Sequence, residues 1–303
     1  MTDLNLPAAL ARPNRRGFLG AASGSIAGLA LAGAMGLPEK AAAGTITDLD
    51  VFNFALNLEY LEAEYYLRAT TGQGLPASDT MGTGTYGGVI STPPTPMVTF
   101  TDPVIRQYAF QLAHDEMNHV LFLRSALGSY AVAEPAINLG TAWNTLAQAA
   151  GFGETFDPFA NEVNFLLGAF TFEDVGATAY NGATLALTAK QDIQYAASIC
   201  GTEAYHAGAN RALLAKLNQA MPSTGILRTT DQIANLRDKL DGAGRDDYGL
   251  IKNGMQQLDV VNGYSQVFAR TTSHVLNIVY GSPTGTAGLF FPQGVNGVIQ
   301  ATG

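Results

Sequence analysis

The sequence carries the same helical pattern twice: a glutamate and a histidine three residues apart, followed five residues later by an arginine. The pattern occurs as EMNHVLFLR from Glu116 to Arg124 and again as EAYHAGANR from Glu203 to Arg211. Residues three apart on an α-helix project from one face, so each pair can offer a carboxylate oxygen and an imidazole nitrogen to one ion. The repeated pattern therefore favours a helical fold that holds metal.

Two further glutamates stand in apolar, aromatic stretches that also match each other. LNLEYLEAEYYLRA contains Glu59 seven residues before Tyr66, and FTFEDVGATAY contains Glu173 seven residues before Tyr180. Carboxylates are very unfavourable in a dry core unless they are paired, so these side chains require a compensating cation. The stretches that contain Glu59 and Glu116 thus correspond to those that contain Glu173 and Glu203. We expect all four to meet at one buried site.

One glutamate from each of two helices, with Glu-x-x-His from each of two others, is the ligand set of di-iron and di-manganese carboxylate bundles. Two divalent cations neutralise four carboxylates, and two neutral imidazoles complete the set. Iron and manganese suit oxygen-rich ligation with some imidazole, whereas calcium does not favour histidine and structural zinc usually has fewer ligands. The sequence predicts two divalent ions, iron or manganese, on Glu59, Glu116, His119, Glu173, Glu203 and His206.

Other acidic residues near these positions leave alternatives open. Glu62 lies one turn beyond Glu59 and is either an additional ligand or a replacement for it; the tyrosine symmetry favours Glu59. Glu64 points elsewhere on the helix and is expected to be solvated or ion-paired. Asp115 directly precedes Glu116, and Asp174 directly follows Glu173. Each is either an acceptor that orients a ligating imidazole or an exposed carboxylate.

The aromatic and basic residues of the repeat are expected to support the site and not to react. We predict that Tyr66 and Tyr180 are core residues that donate hydrogen bonds to carboxylates, in preference to forming radicals. Arg124 and Arg211 are expected to form structural ion pairs. His114 lies about 140° around the helix from His119 and is not expected to bind metal.

Helical periodicity and the positions of glycine and proline predict a bundle of four helices. The connection between the second and third predicted helices is long, and the connection between the third and fourth is short. This is the pattern of an all-α, up-down bundle with one long crossover. We expect the bundle to span residues 44–222 and a C-terminal extension, residues 223–303, to pack on it as irregular or extended chain with a short helix near 253–270. The predicted helices A to D cover residues 47–70, 103–128, 158–181 and 190–220.

Residues 1–43 are typical of a signal peptide. Arg15 and Arg16 precede 21 uncharged, Gly/Ala-rich residues, and small residues lead up to Ala43. The segment resembles a twin-arginine export signal, so we expect cleavage after Ala43 and a periplasmic protein. The alternative is an uncleaved membrane anchor, although the glycines and serines make the segment weakly apolar.

Composition narrows the remaining possibilities. A formal charge of −9 and the lack of any basic stripe argue against a nucleic-acid partner. The single cysteine, Cys200, excludes an intrachain disulfide framework and any cysteine-rich metal site. A homodimer is compatible with a bundle of this size.

The motifs together resemble the ferritin-like superfamily, in particular the ferritin-like domain family that includes desiccation-related proteins. The resemblance rests on LNLEYLEAEYY, HDEMNHVLFLRSALG, FEDVGATAY and EAYHAGANRALL, and it covers about residues 47–217. RTTSHVLNIVYG and FFPQGVNG are similar to that family's C-terminal signature. The resemblance implies a four-helix bundle with a central dinuclear carboxylate site on the six residues named above.

Three functional hypotheses follow. The first is an exported dinuclear protein that reacts with dioxygen or peroxide in stress protection, as a ferroxidase or a peroxide scavenger. The second is a non-enzymatic metal-binding or desiccation-protective bundle whose site stabilises the fold. The third is a mineral-storing cage, which the long A-to-B loop and the C-terminal extension disfavour because they would obstruct packing surfaces.

Overall fold

The computed structural model describes residues 45–302, which form seven α-helices and four short strands. The helices are α1 (Asp48–Thr71), α2 (Pro103–Leu127), α3 (Thr141–Ala150), α4 (Glu162–Ala186), α5 (Lys190–Ala220), α6 (Ile226–Asp241) and α7 (Thr272–Tyr280). The strands are β1 (Val89–Ser91), β2 (Ile137–Asn138), β3 (Ile251–Lys252) and β4 (Met255–Gln256).

The first bundle helices begin and end where side-chain chemistry satisfies the terminal backbone groups. Thr47 and Asp50 form a reciprocal capping box at the start of α1, and Gly72 ends the helix with φ of +76°. Asp102 accepts hydrogen bonds from the first turn of α2, and Pro103 occupies the first helical position. These local signals explain why α1 and α2 begin close to the predicted positions.

Four long helices, α1, α2, α4 and α5, form the predicted all-α bundle. Asn53, near the start of α1, donates to the carbonyl of Tyr130 just beyond α2, so these helices run antiparallel. Asn210 of α5 likewise donates to Leu166 of α4, which makes α4 and α5 a second antiparallel pair. The predicted long crossover joins α2 to α4. It contains α3 and β2, neither of which the sequence predicts, and β2 pairs in parallel with β1 of the loop after α1.

The C-terminal part is more helical than predicted. The segment that forms α6 was interpreted as polar chain because it contains many charged residues. Its apolar residues nevertheless form a buried stripe on one face of the helix, which includes Ile226, Ile233 and Leu240. The apolar HVLNIVY stretch forms α7, where the Thr271 side chain caps the helix, and not extended chain. β-branched residues favour strands in isolation, but burial against the bundle overrides that preference.

The predicted helix near residues 253–270 is wrong. The chain there forms the β3–β4 hairpin followed by turns. Asn253 and Ser265 have φ of +53° and +58°, which is incompatible with a continuous right-handed helix.

A network of buried ion pairs joins the C-terminal part to the bundle. Arg237 of α6 donates to Asp174 of α4 at 3.2 Å and to Asp247 at 2.7 Å. Every arginine and aspartate in the network is buried. The other members of the network are Arg211, Arg270, Asp241 and Asp246.

None of the helices between residues 45 and 302 is long and apolar enough to cross a membrane. The predicted signal peptide and the alternative N-terminal anchor both fall within residues 1–43, outside the described residues. Export and a periplasmic location therefore stay predictions.

We expect Arg237→Met to lower the free energy of unfolding by about 3–5 kcal/mol, because the buried carboxylates of Asp174 and Asp247 each lose one of their two arginine partners and part of their charge compensation. Arg245→Met is the matched control, since Arg245 is exposed and 3.9 Å from Asp238, and it should change stability by less than about 0.5 kcal/mol. Urea denaturation of both variants measures the difference. Equal stability would show that the network contributes nothing specific.

Candidate metal centre

Six buried side chains from the four bundle helices converge between the helices. Glu59 comes from α1, Glu116 and His119 from α2, and Glu173 from α4, and α5 supplies Glu203 and His206. The four glutamates have relative exposures of only 0–1%, and His206 and His119 of 4% and 9%. The structure therefore brings together all six residues that the sequence singled out as candidate ligands.

The six residues form two overlapping donor groups. The first donor group is Glu59, Glu116, His119 and Glu203; the second is Glu116, Glu173, Glu203 and His206. Within each group, one ligand atom from every residue lies within 4.8 Å of the others. Glu116 and Glu203 belong to both groups, so the arrangement can hold two ions with two shared carboxylates.

Both histidines present Nδ1 to this centre. His119 Nδ1 lies 2.9 Å from Glu116 Oε2 and 3.2 Å from Glu59 Oε2. His206 Nδ1 lies 2.9 Å from Glu116 Oε1 and 3.3 Å from Glu173 Oε2. The two Glu-x-x-His motifs thus face each other across the shared glutamates.

The donor atoms at the centre fit a metal because most lack another partner. Several buried donor atoms make no well-aligned hydrogen bond to a described residue, although some lie close to one another; they include both carboxylate oxygens of Glu203 and Nδ1 of His206. One oxygen each of Glu59, Glu116 and Glu173 is in the same condition. Unsatisfied buried acceptors are rare in proteins and unfavourable, so their convergence is the chemistry expected of a cation site.

Two tyrosines hold the outer oxygens of the unshared glutamates. Tyr66 of α1 donates to Glu173 of α4, and Tyr180 of α4 donates to Glu59 of α1. Each tyrosine therefore acts on the glutamate of the opposite helix, as the symmetry of the sequence suggests. These hydrogen bonds fix which carboxylate oxygen faces the centre.

Asp115 lies next to the centre and contacts a candidate ligand. Its Oδ2 is 3.1 Å from Nε2 of His206, on the far side of the ring from the shared glutamates. Gln111 and His114 also contact the carboxylate. Partial burial raises the pKa of Asp115, but the hydrogen bonds from His206 and His114 outweigh it, and the net pKa is lowered. Asp115 is therefore in place to orient His206.

Glu62 is buried but belongs to neither donor group. It lines a cavity of about 30 Å³ with mostly apolar neighbours such as Phe172 and Val275, enough space for about one water molecule. Burial, together with repulsion from Glu203 and the other glutamates, raises the pKa of Glu62 well above its usual value. Burial and the neighbouring glutamates thus favour the protonated form of this carboxyl.

Proximity of so many acids shifts protons among the candidate ligands. Burial raises the pKa of Glu59 to about 7, even though His119 opposes the shift. Burial also acts to lower the pKa of His119, but the negative charges of Glu59 and Glu116 raise it well above its usual value. The same balance, dominated by Glu173, raises the pKa of His206. Among the protein groups alone, protons therefore occupy positions that a cation would take.

The structure decides the position of Asp174 and tests the ion pairs predicted for the two repeated arginines. Asp174 is neither exposed nor directed at a histidine; it is buried against Arg211 and Arg237. Arg211 forms the predicted ion pair, but the prediction for Arg124 is wrong. Arg124 donates to the hydroxyl of Tyr60 and to a backbone carbonyl, because Tyr60 occupies the position in α1 that corresponds to Asp174 in α4.

Three further residues have roles at or beside the centre. Glu64 is buried and paired with Arg68 at 2.8 Å, so it lies away from the centre as expected. Tyr108 of α2 donates to the carbonyl of His206 at 2.8 Å and ties α2 to α5 beside a candidate ligand. Gly176 leaves room for Glu203, because a β-carbon at this position would collide with its carboxylate. The small residue in FEDVGATAY is a signal that could have indicated this close approach.

A polar cavity of about 330 Å³ opens from solvent onto the two histidines. Its wall is formed by residues of α2 and α5. The lining residues are Gln111, Asp115, Asn118, His119, Thr202, Tyr205 and His206. The centre is therefore approached from its histidine side.

The profile of the Ferritin-like domain family matches residues 47–216, the part of the chain that contains every candidate ligand. The chain belongs to this family. It is 30% identical over 212 residues to the desiccation-related protein PCC13-62 of Craterostigma plantagineum, covering 68% of this chain and 66% of that protein.

A second relative of the ferritin-like chain is the ferritin-like catalase Nec2 of Nesocodon mauritianus. The two are 25% identical over 272 residues, which cover 83% of this chain and 84% of that protein. No solved structure matches the chain.

Glu59→Gln should reduce bound metal from about two ions per chain to about one or fewer, because an amide donates no negative charge to the first donor group. Glu62→Gln should retain both ions, since Glu62 belongs to neither group. Elemental analysis of the purified variants, with circular dichroism as a check of folding, measures the contrast. Loss of metal only in Glu62→Gln would reverse the assignment in favour of Glu62.

Metal affinity of this ferritin-like chain should fall as pH falls. A cation must displace protons from groups whose pKa is raised, including Glu59 at about 7 and His119. The Glu59 proton competes with metal mainly below pH 7, whereas the proton on His119, whose pKa is raised well above its usual value, also competes at higher pH. We expect about a tenfold or larger loss in Mn²⁺ affinity per pH unit between pH 8 and 6, measured by calorimetry. Affinity that does not change with pH would contradict the assigned ligands.

Proposed function

We propose that this chain is an exported dinuclear iron or manganese carboxylate protein that decomposes hydrogen peroxide in stress protection. The observation that carries the proposal is the pair of overlapping donor groups that share Glu116 and Glu203. Four glutamates and two neutral imidazoles match two divalent cations in charge and in ligand type. The relative named as a ferritin-like catalase supports peroxide as the substrate.

The residues of the chain would divide the work as follows. Bound iron or manganese would supply the two-electron redox chemistry that converts two peroxide molecules into two waters and one dioxygen. Tyr66 and Tyr180 hold the unshared glutamates in one orientation. The raised pKa of Glu62 favours a protonated carboxyl at the small apolar cavity, on a different side from the polar cavity over the histidines.

The surroundings of the centre suit a small, polar, uncharged substrate. The cavity over the histidines is lined by amide, hydroxyl and carboxylate groups, so a molecule such as peroxide can approach without losing its hydrogen bonds. The bundle helices that carry the ligands also contribute buried aromatic and aliphatic side chains to one hydrophobic core, including Leu56, Leu112 and Phe165.

A non-enzymatic role in metal binding or desiccation protection is the second candidate. It is favoured by the similarity to the protein named as desiccation-related. In that case, bound ions would stabilise the native bundle by mass action without turnover. The two candidates predict the same ligands but differ in peroxide consumption.

The protein loaded with manganese, and separately with iron, should release dioxygen from hydrogen peroxide, as measured with an oxygen electrode. Glu116→Gln should lower the rate at least about 100-fold, because Glu116 is shared by both donor groups. Glu154→Gln is the matched control at an exposed position and should retain full activity. Two bound ions without dioxygen release would favour the non-enzymatic role, and dioxygen consumption with Fe²⁺ would favour a ferroxidase.

A further inference from the structure

The two halves of the candidate centre follow one internal repeat. Glu59 and Glu173 correspond, as do the motifs that begin at Glu116 and Glu203. The contacts follow the same rule, since Tyr66 and Tyr180 make reciprocal hydrogen bonds across the bundle. A difference between corresponding positions therefore predicts a difference between the two metal half-sites.

The repeat is broken immediately before each Glu-x-x-His motif. Asp115 precedes Glu116 on α2, whereas Thr202 precedes Glu203 on α5. Both side chains line the cavity over the histidines. A carboxylate on one helix is thus matched by a neutral hydroxyl on the other.

The two histidines consequently differ in what contacts the ring nitrogen away from the glutamates. His206 Nε2 lies 3.1 Å from the carboxylate of Asp115. His119 Nε2 has no hydrogen-bond partner within residues 45–302, and Thr202, at the position that corresponds to Asp115, donates its hydroxyl to the carbonyl of Ser198 at 3.4 Å. Of the two histidines, His206 therefore has a carboxylate at Nε2, and within residues 45–302 His119 does not.

A carboxylate on the outer nitrogen changes the donor strength of an imidazole. It accepts the Nε2–H hydrogen bond, fixes the tautomer that leaves Nδ1 free for metal, and increases the basicity of Nδ1. Loss of such a partner typically weakens metal binding about 10–100-fold. The Gln111 and His114 contacts hold the Asp115 carboxylate in place for this task.

We propose that Asp115 is a positioning residue that makes the half-site of Glu173 and His206 bind its ion more tightly than the half-site of Glu59 and His119. The two ions then load in order, first beside His206 and second beside His119. The second ion lies next to the imidazole without a carboxylate partner and is the more easily exchanged. This inference rests on the proposed dinuclear centre and adds the order in which that centre fills.

Calorimetric titration of the full metal-free chain with Mn²⁺ tests the proposal. The wild type should bind two ions in two steps whose affinities differ about 10–100-fold. Asp115→Thr should weaken the tight step by that factor and leave the other step unchanged, so that the two merge. Thr202→Asp should strengthen the weak step, and the double variant should again bind in two steps.

Histidine variants identify which step belongs to which half-site. His119→Ala should remove the weak step and retain the tight one, and His206→Ala should do the reverse. Thermal unfolding of each metal-free variant separates altered affinity from altered folding. Asp115→Asn keeps the shape of the side chain but not its charge, and its tight-step affinity should fall between those of the wild type and Asp115→Thr.

The outcomes separate this inference from the proposed function. Two equal steps in the wild type, or equal weakening of both steps in Asp115→Thr, would overturn the ordered loading while leaving the dinuclear centre intact. An absence of binding of both Mn²⁺ and Fe²⁺, the latter titrated without oxygen, in the wild type would overturn both proposals. Two unequal steps without peroxide decomposition would support the loading order and contradict the catalytic role.

Discussion

The structure depends on placing four glutamates, nearly without solvent contact, at one point between four helices. Carboxylates this close repel one another strongly in a medium of low dielectric, and the effect is greatest for Glu203, whose pKa burial and its glutamate neighbours raise well above its usual value. This repulsion must be offset, either by protons bound to the neighbouring histidines and acids or by metal ions. The length of α1, α2, α4 and α5, and the tyrosine hydrogen bonds between them, serve this arrangement.

The orientation of α4 is fixed from both sides by two consecutive acids. Glu173 points into the centre, and Asp174, about 100° further around the helix, points to Arg211 and Arg237. A rotation of α4 that moved one carboxylate from its partners would move the other as well. Because Arg237 lies on α6, the C-terminal part of the chain contributes directly to the position of a candidate ligand, although it supplies none itself.

The candidate ligands could be predicted from the sequence because each lies in a short pattern with a defined helical spacing, and the pattern occurs twice. The bundle class follows from the same patterns and from the glycine and proline positions between them. The partners of Asp174 could not be predicted, since Arg237 is 63 residues away in the chain and nothing local indicates the contact. α6 was missed because its apolar stripe lies among many charged residues, and α7 was missed because it is short and rich in β-branched residues that favour strands in isolation.

The corresponding positions of the two halves show which features the centre requires and which it tolerates. The glutamates, histidines and tyrosines at the centre are the same in both halves. The partners of the two arginines differ, however: Arg124 contacts a phenol where Arg211 contacts a carboxylate. Each of these contacts joins the two helices of one half of the repeat. The arginine therefore requires a hydrogen-bond acceptor at this position, but the acceptor need not be charged.

Corresponding positions of the two halves also differ beside the candidate ligands, where the difference changes the local charge. Glu62 corresponds to Gly176 and Asp115 to Thr202, so the first half of the repeat has two carboxylates where the second half has a glycine and a threonine. A glycine is required at position 176 because Glu203 approaches the backbone there, whereas the corresponding position in α1 accommodates a full side chain. The two donor groups therefore have the same kinds of ligand but differ in the charges around them, so a centre built from a repeat could give two bound ions different tasks.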